Sequence, residues 1–472
     1  MEGHKKRTGG KPKSHQRDKK HEKIEKQANP DHTQSTVSAI DEAKTKVAEQ
    51  LSAQKRDLRP KMLGMETKEE IEKRKELAAL PIDLTKRESK QRAIPFFESI
   101  GEELEIITRP PWNYSMSKDQ LDQNEKTQFS EWIERLLDCN EKLNYFESNL
   151  ETWRQLWRVV ERSEVVLIIV DCRFGCLQFN TKIADWIKKS GKGLGVILNK
   201  VDLVDTVIVK KWQTYFEEKF SVKTLPVRTN RAIAGQVEDF EVADLRKEKT
   251  KTRKRVEGDN TEALEQFEDF VFSLQPTPEK IDKREPDDAA TKNDSEDEEE
   301  KILKTEKGNR LGVGLIGNPN VGKSSLLNFL VGKKVSGVSS HPGRTKYLQT
   351  YRLGTNVLLV DCPGMMFPMK NQPLLIQVIS GVYPLSQLRE PYSIIRFFIE
   401  RLPLEKNYGI ELKEGMSVLQ FVDEIAEKKK YFTGKAGRPD SHKAAREILS
   451  DCIMGRTVFM FDTPVDKTEE KL

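Results

Sequence analysis

The chain lacks the long apolar runs and the cysteine framework that are typical of membrane and secreted proteins. Its longest apolar run, Val165–Val170, is far shorter than the roughly 20 residues that a membrane-spanning helix needs. No apolar stretch follows the basic N-terminus, so no secretory signal is expected. The 5 cysteines form no disulfide pattern, and Cys172 and Cys176 have no second Cys or His pair nearby to complete a zinc site. We therefore expect a soluble intracellular protein with free thiols.

Hydrophobic residues are also scarce. They make up 36% of the 472 residues, while charged residues make up 33%, where roughly 25% is usual for globular domains. The charge is uneven, because residues 1–29 hold 10 Lys/Arg against 4 Asp/Glu, residues 246–255 are basic and residues 285–300 are acidic. Such segments cannot bury enough apolar surface to offset the entropy of ordering. We expect them to form a basic, largely disordered tail and a charged, mostly disordered insertion.

Outside these charged segments, short apolar runs alternate with amphipathic stretches. Ser117 and Gln120 form a capping-box pattern that opens an amphipathic helix, and a second one covers Leu150 to Val160. Strands are predicted at Val165–Val170, Gly193–Leu198, Leu225–Val227, Leu311–Ile316, Leu348–Leu353 and Val357–Val360, and helices at Lys182–Lys189, Ile208–Phe220, Phe267–Leu274 and Gly322–Val331. Buried strands alternating with helices are typical of a parallel sheet covered on both faces, so the expected fold class is α/β.

A phosphate-binding loop is the first chemical motif. Residues 317–324 match G-x-x-x-x-G-K-[ST] between a predicted buried strand and a helix. Glycines let the backbone N–H groups of such a loop face phosphate oxygens, while Lys323 reaches the β and γ phosphates and Ser324 ligates Mg²⁺. The alternative is a structural glycine turn. The nucleotide contacts expected from this loop are Gly317, Asn318, Pro319, Asn320, Val321, Gly322, Lys323, Ser324 and Ser325.

A D-x-x-G motif follows the next buried strand. Asp361 stands where it can hold Mg²⁺ through its water shell, and Gly364 leaves a backbone N–H free to approach the γ-phosphate. Between the two motifs, Thr345 is expected as a second Mg²⁺ ligand in a segment that orders on γ-phosphate binding. The alternative for Thr345 is an ordinary turn threonine. The predicted metal ligands are thus Ser324, Thr345 and Asp361, and the predicted catalytic residues are Lys323, Thr345, Asp361, Gly364 and Asn320.

An N-K-x-D motif identifies the base. Asn199, Lys200 and Asp202 follow the strand Gly193–Leu198. Guanine presents adjacent N1–H and N2–H₂ donors that one carboxylate can accept together, and adenine lacks this pair. The motif therefore predicts selection of GTP over ATP by Asp202.

The order of the motifs is unusual, because N-K-x-D precedes the phosphate loop instead of following D-x-x-G. A sheet can be cut at another exposed loop without losing its site. In this order the chain resembles the circularly permuted GTPases linked to ribosome assembly, over roughly residues 110–230 and 310–455. The resemblance rests on Tyr145–Trp157, Asp171–Arg173, Asn199–Asp202, the phosphate loop, Pro342–Thr345, Gln349–Tyr351, Asp361–Gly364 and Gly381–Pro384.

The resemblance implies a circularly permuted Ras-like P-loop GTPase domain with an N-terminal helical extension and a small α-helical C-terminal domain. It implies GTP or GDP and Mg²⁺ as ligands, and ribosomal subunit assembly in the nucleus or nucleolus, with shuttling to the cytoplasm left open. The expected segments are 1–90 (basic tail), 91–148 (helical extension), 149–230 (first half of the GTPase domain), 231–308 (charged insertion), 309–368 (second half), 369–456 (helical domain) and 457–472 (tail).

Two positions depart from the Ras pattern, and a third suggests a monovalent cation. Met365 stands where Ras-type enzymes have a water-orienting Gln, so intrinsic hydrolysis is expected to be slow. The guanine-backing motif is poorly represented, and Thr229 is assigned to it. Asn320 occupies the position at which potassium-activated GTPases carry an asparagine. The resemblance therefore implies K⁺ as a further candidate cofactor, and the alternative is that Asn320 only shapes the loop.

Two basic regions are candidate contacts with ribosomal RNA or a pre-ribosomal particle. Residues 5–26 either neutralise RNA phosphates and signal nuclear entry or only keep the chain soluble. A C-terminal cluster of Lys428–Tyr431 with Lys435, Arg438, Lys443 and Arg446 is either an RNA-facing surface or a solvated helix face. The expected protein is a monomeric GTP-hydrolysing switch, and the alternative is a GTP-dependent scaffold without turnover. A signalling G protein at a membrane is disfavoured, because the chain ends Glu-Glu-Lys-Leu without a lipidation motif.

Overall fold

The computed structural model describes residues 66–87, 93–113, 115–139, 141–229, 261–276, 310–332, 349–434 and 437–464. Residues 1–65 of the predicted basic tail, residues 246–255, the acidic run 285–300, Thr345 and Lys435 lie outside the described residues.

The N-terminal part begins with helices and short strands. In chain order these are α1 (Lys68–Ala79), β1 (Ala93–Ile94), β2 (Glu102–Glu103), α2 (Lys118–Asp138) and α3 (Leu150–Arg162). The capping box predicted at the start of α2 is confirmed, since Ser117 accepts from the Gln120 backbone N–H and the Gln120 side chain accepts from Ser117 in return. Trp132 of α2 meets Trp153 of α3 edge to face, with ring centroids 5.1 Å apart.

The central part alternates strands and helices, as predicted. Its elements are β3 (Val165–Asp171), α4 (Thr181–Lys189), β4 (Gly193–Asn199), α5 (Thr206–Phe220), β5 (Lys223–Val227), α6 (Thr261–Phe272), β6 (Leu311–Ile316), α7 (Lys323–Leu330), β7 (Gln349–Leu353) and β8 (Val357–Asp361). Every residue of β3, β4, β6 and β8 is buried, which explains their near-continuous apolar sequence. The strands form one sheet in the order β5-β4-β3-β6-β8-β7, with only β7 antiparallel to its neighbour.

The strand register brings the predicted motifs to one edge of the sheet. Asp171 at the end of β3 pairs with Asn199 at the end of β4, and Asn199 pairs with Val227 of β5. On the other side of β3, Leu315 of β6 pairs with Asp361 of β8. Because parallel strands end at the same edge, the N-K-x-D, phosphate-loop and D-x-x-G segments meet there.

The C-terminal part is mainly helical. Its elements are β9 (Met369–Lys370), α8 (Leu374–Ile379), α9 (Tyr392–Ile399), α10 (Leu404–Tyr408), α11 (Val418–Lys428), α12 (Ser441–Ile453) and β10 (Met460–Phe461). Its core continues into the sheet region, because Phe174 and Leu177, which follow β3, belong to the same buried cluster as Phe398 and Phe421. In the described part of the chain, no helix is both long and apolar enough to cross a membrane.

Three predicted segment boundaries need correction. Ordered structure begins before residue 91, because Thr67 and Glu70 form a capping box at the start of α1. The end of α1 is fixed by Arg396, which donates to the carbonyls of Leu77 and Leu80 at 2.6 and 2.8 Å. The helix buries only two of its residues, Ile71 and Ala78. Because the rest of its sequence is mostly charged, no apolar periodicity predicts it.

The predicted charged insertion, residues 231–308, contains a helix that packs in the core. In α6, Phe267 and Val271 are buried against the sheet. Leu274 and Phe270 occupy the space that side chains at Gly193 and Gly195 of β4 would fill. The docked helix predicted at Phe267–Leu274 is therefore present, and it starts earlier, at Thr261.

The third correction concerns the predicted C-terminal tail, which begins later than residue 457. Phe459 and Phe461 are fully buried, and β10 pairs in parallel with β1. Through this strand pair, the short apolar run joins the C-terminal part to the N-terminal extension.

Candidate nucleotide-binding site

The phosphate loop connects β6 to α7 and is shaped by close contacts with its neighbours. A side chain at Gly317 would meet the Ile169 carbonyl oxygen at 2.5 Å, and one at Gly322, whose φ is +99°, would collide with the Asn199 amide. Asn320 is also left-handed, with φ +63°, a conformation that asparagine tolerates better than most residues. The loop sequence therefore fits its backbone at these three positions.

Lys323 is folded into the loop. Its Nζ donates to the carbonyl oxygens of Gly317 and Asn318, both at 2.8 Å, and its side chain is buried. Burial lowers the pKa of Lys323, and the nearby Asp361 carboxylate works in the opposite direction. An ammonium that two carbonyls of a glycine loop hold, with no other hydrogen bond among the described residues, is well placed to transfer to phosphate oxygens.

Asp361 is a buried carboxylate without a partner. It is fully buried at the end of β8, and neither of its carboxylate oxygens has a hydrogen-bond partner in the part of the chain that the structure describes. Burial raises the pKa of Asp361 to about 6, although the Lys323 ammonium opposes this shift. Leaving such a group unpaired is costly, and Mg²⁺ with its water shell is the kind of partner that oxygen ligands at this place accept. The residues present therefore fit Mg²⁺.

The D-x-x-G segment touches the phosphate loop. A side chain at Gly364 would press on Pro319, whose Cα lies 3.0 Å from the position of the added carbon. The backbone N–H of Met365 donates to the Gly317 carbonyl at 3.1 Å. Met365 is fully buried, and its thioether, which has no donor and is a weak acceptor, does not orient water as a glutamine amide does.

The N-K-x-D loop is bound to the phosphate loop by two side chains. Asn199 donates from Nδ2 to the Val321 carbonyl at 2.8 Å, and Lys200 donates from Nζ to the Asn320 carbonyl at 2.7 Å. Asp202 has one buried carboxylate oxygen without a hydrogen-bond partner in the described residues, and burial raises its pKa. Recognition of guanine donors requires a carboxylate oxygen that is free to accept, and Asp202 provides one.

Not every predicted site residue is placed by a contact. Ser324 and Ser325 lie in the first turn of α7 and are partly buried. Thr229 lies two residues after β5 and is partly buried, and its contact with the base stays a prediction. Thr345, with the rest of Pro342–Thr345, lies outside the described residues.

The structure adds Asp171 and Arg173, to which the sequence analysis assigned no role. The Asp171 carboxylate accepts from Lys200 Nζ at 2.8 Å and from Arg173 Nη2 at 2.8 Å. Burial alone would raise the pKa of Asp171, but these two cations outweigh it and hold the pKa well below its usual range. A charged D-x-R triplet directly after a buried strand was the signal in the sequence.

The structure also adds Asn144, which clamps the segment after D-x-x-G. Its Nδ2 donates to the Phe367 carbonyl at 3.0 Å, and its Oδ1 accepts from the Met369 N–H at 2.8 Å. The Glu147 N–H donates to the Met366 carbonyl at 2.9 Å. The N-terminal extension thus binds the segment that would respond to the γ-phosphate.

Part of the predicted C-terminal basic cluster is used in internal contacts. Lys428 donates to the Tyr408 and Gly409 carbonyls, and Lys429 pairs with Glu447 at 2.6 Å. Lys443 lies over the Tyr431 ring, 4.1 Å from its centroid. Glu447 offsets the charge of Lys429, and the other contacts hold Lys428 and Lys443 against the protein.

Comparisons with known proteins agree with this site. Residues 312–405 match the family model described as 50S ribosome-binding GTPase. The chain is 33% identical over 436 residues to guanine nucleotide-binding protein-like 1 of Rattus norvegicus, over 84% of this chain and 72% of that protein. It is also 33% identical over 409 residues to Large subunit GTPase 1 of Saccharomyces cerevisiae, over 80% of this chain and 59% of that protein.

Among solved structures, GNP-bound YlqF from T. maritima is matched at 18% identity over 66% of this chain and 98% of that one, and its TM-score of 0.37 is too low to support a conclusion. The sequence relationship and the permuted order of strands and motifs agree with each other. The chain therefore belongs to the guanine nucleotide-binding protein-like 1 family of circularly permuted GTPases.

Proposed function

We propose that this GTPase is a molecular switch that hydrolyses GTP slowly and acts in ribosome assembly. The observation that supports it most strongly is that the buried carboxylate of Asp361 and one buried carboxylate oxygen of Asp202 have no hydrogen-bond partner within the described residues. In this proposal Asp361 faces the phosphates through Mg²⁺, and Asp202 faces the base. The Asp361 carboxylate would hold Mg²⁺ through its water shell, and the free oxygen of Asp202 would accept a guanine N–H donor.

In this proposal Lys323 leaves its loop carbonyls and neutralises charge on the β and γ phosphates. Ser324 and Thr345 ligate Mg²⁺, and Asp361 orients its water shell. The metal supplies neutralisation of the negative charge on the phosphates. Gly364, in contact with Pro319, offers its backbone N–H to the γ-phosphate.

On the base side, Asp202 accepts the two guanine donors, and Asn199 and Lys200 fix the loop that holds it. Their side chains bind the Val321 and Asn320 carbonyls, which supports a role in joining base and phosphate recognition. Thr229 backs the guanine ring in this proposal.

Slow hydrolysis follows from the absence of a water-orienting side chain at Met365. A partner, or a K⁺ ion bound by Asn320, then supplies the missing stabilisation of the transition state. Glycine could also adopt the left-handed backbone of Asn320, so the backbone at this position does not require the asparagine side chain.

The ribosomal setting is proposed from the names of the relatives, Large subunit GTPase 1 among them, and from the 50S ribosome-binding GTPase model. We propose a pre-ribosomal particle as the partner, contacted by the basic segments 1–29 and 246–255 through RNA phosphates. The protein then acts as a monomer in the nucleus or nucleolus.

Single-turnover hydrolysis tests this function against a scaffold without turnover. We expect slow GTP cleavage by the protein alone, faster cleavage with ribosomal particles, and loss of cleavage in Lys323→Met. Lys182→Met is a matched control, since this surface lysine pairs with Glu105 away from the site. Retained GTP binding with no cleavage, even with particles present, would favour the scaffold.

A further inference from the structure

We propose that Arg173 is a positioning residue through which the C-terminal end of α12 sets the nucleotide affinity of the N-K-x-D loop. The inference rests on the proposed role of Asn199–Asp202 in guanine binding. It assigns a function to a fully buried arginine that touches no part of the expected nucleotide position.

On one side, Arg173 shares a carboxylate with the N-K-x-D loop. Its Nε and Nη2 donate to the two oxygens of Asp171 at 3.1 and 2.8 Å. Lys200 donates to the same carboxylate at 2.8 Å and also to the Asn320 carbonyl in the phosphate loop at 2.7 Å. The position of the Lys200 ammonium therefore depends on how strongly Arg173 holds Asp171.

On its other side, Arg173 binds the end of α12. Its Nη1 donates to the Cys452 carbonyl at 2.9 Å and its Nη2 to the Ile453 carbonyl at 2.6 Å. The last carbonyls of a helix lack partners within the helix and form the negative end of its dipole. They provide partial negative charge to a cluster in which two cations share one carboxylate.

A second set of contacts links the same two regions independently of Arg173. A side chain at Gly455, whose φ is +75°, would collide with Leu203, the residue after Asp202. The Asp205 N–H donates to the Met460 sulfur at 3.4 Å, and Lys211 pairs with Asp462 at 2.8 Å. The chain following α12 thus lies along the loop that is expected to hold guanine.

These contacts make the two regions thermodynamically coupled. If a partner displaces the end of α12, Arg173 loses two carbonyl acceptors in a buried place, which is costly, and its charge is left with Asp171 and the Phe174 and Phe459 rings. Asp171 is then drawn towards Arg173, and Lys200 loses part of its hold on the phosphate loop. By linkage, nucleotide binding stabilises the end of α12 by the same factor with which α12 strengthens nucleotide binding.

The test compares two arginines of the same chemistry. Arg396 also joins a carboxylate, Glu400 at 2.7 Å, to the carbonyls at the end of a helix, here α1. Arg173→Lys removes the guanidinium that bonds both Asp171 and the α12 carbonyls. Arg396→Lys makes the same change away from the N-K-x-D loop and is the matched control. Gly455→Ala disturbs the contact with Leu203 and, if Arg173→Lys does not fold, still tests whether the chain after α12 is coupled to the N-K-x-D loop.

Two measurements are made on the full chain: the dissociation constant for GDP, and hydrogen exchange of residues 441–455 with and without GDP. We expect Arg173→Lys and Gly455→Ala to weaken GDP binding by about tenfold, within the usual range of coupling between sites. GDP should slow exchange at the end of α12 in the wild type and not in Arg173→Lys. Arg396→Lys should change neither result, although it lowers stability.

Wild-type affinity and wild-type GDP protection of α12 in Arg173→Lys would overturn the inference while leaving the proposed function intact. An equal loss in Arg396→Lys would also overturn it, because the effect would then be one of general destabilisation. A wild-type protein that binds no GDP would overturn the proposed function itself.

Discussion

At the scale of single residues, the site contains charged side chains with few or no hydrogen-bond partners within the described residues. The Lys323 ammonium is held by two carbonyls of its own loop, while Asp361 and one oxygen of Asp202 are buried without partners in the described residues. Unpaired buried polar groups reduce stability, so their presence in one place indicates a ligand that satisfies them. Met365, fully buried, contributes packing rather than chemistry.

The proposed potassium site is tested by removing the Asn320 amide without straining the loop. Alanine would disfavour the left-handed backbone at φ +63°, whereas glycine accepts it. We expect GTP turnover in KCl to exceed that in NaCl of equal ionic strength by about tenfold, or about 1.4 kcal/mol of transition-state stabilisation. Asn320→Gly should abolish the difference between the two salts.

Equal turnover of the wild type in both salts, with ribosomal particles present as well as absent, would contradict a role for potassium. A stimulation that survives Asn320→Gly would assign the cation to another ligand.

At the scale of elements, the segment after D-x-x-G is bound along its length by the N-terminal extension. The Asn144 side chain bonds the Phe367 carbonyl and the Met369 N–H, as a neighbouring strand would. Next to it, β9 pairs with β2. Residues 367–370 are therefore attached to the N-terminal extension by both side-chain and strand hydrogen bonds.

The Asn144 clamp predicts a measurable loss of stability. Asn144→Ala leaves the Phe367 carbonyl and the Met369 N–H without their side-chain partner, which costs about 1–3 kcal/mol per buried group. Urea unfolding should show a lower midpoint, and amides of residues 366–370 should exchange faster. Asn113→Ala, at an exposed position where the side chain bonds only Ser115, should change stability by less than about 0.5 kcal/mol. Equal stability of the two variants would contradict the clamp.

The sequence predicted the sheet well because β3, β4, β6 and β8 are buried on both faces and read as continuous apolar runs. It predicted the phosphate loop because the backbone there requires particular residue types, as at Gly322, and the N-K-x-D loop because guanine recognition requires particular side chains. It did not predict α1, whose sequence is mostly charged, or the end of the chain at Phe459 and Phe461, where a short apolar run has no periodicity.

The partners of Arg173 could not be predicted either, since they are backbone carbonyls of a helix far away in sequence. Likewise, no pattern in the sequence indicates that Asn144 bonds backbone groups of residues 367 and 369. Contacts to distant backbone depend on the fold and not on residue type.

At the scale of the whole molecule, the permuted order places the D-x-x-G strand directly before the C-terminal helices. The N-K-x-D loop meets the same helices from the other side, through Arg173 and Leu203. Both halves of the nucleotide site are thus attached to the C-terminal part, which makes that part a suitable place for reading the nucleotide state.

The basic segments predict salt-dependent RNA binding that is separate from nucleotide binding. Deleting residues 1–29 and 246–255 together should flatten the dependence of log K on log salt by roughly 0.7–0.9 for each RNA phosphate that these segments neutralise. Nuclear accumulation should fall, while GDP affinity should stay the same because α6 and the site are retained. Unchanged RNA binding and localisation of the truncated protein would identify the segments as solubilising only.

The central claim is that motifs in permuted order form one guanine-specific site, and base selection by Asp202→Asn tests it most directly. The amide can no longer accept both guanine donors, so GTP binding should weaken by about 2–4 kcal/mol, the value of a charged bidentate hydrogen bond. Xanthosine triphosphate, which has an acceptor where guanine has a donor, should become the preferred ligand. The measurement is the ratio of the two dissociation constants in wild type and variant. A reversed ratio is the predicted result, and GTP affinity unchanged by Asp202→Asn would contradict the account.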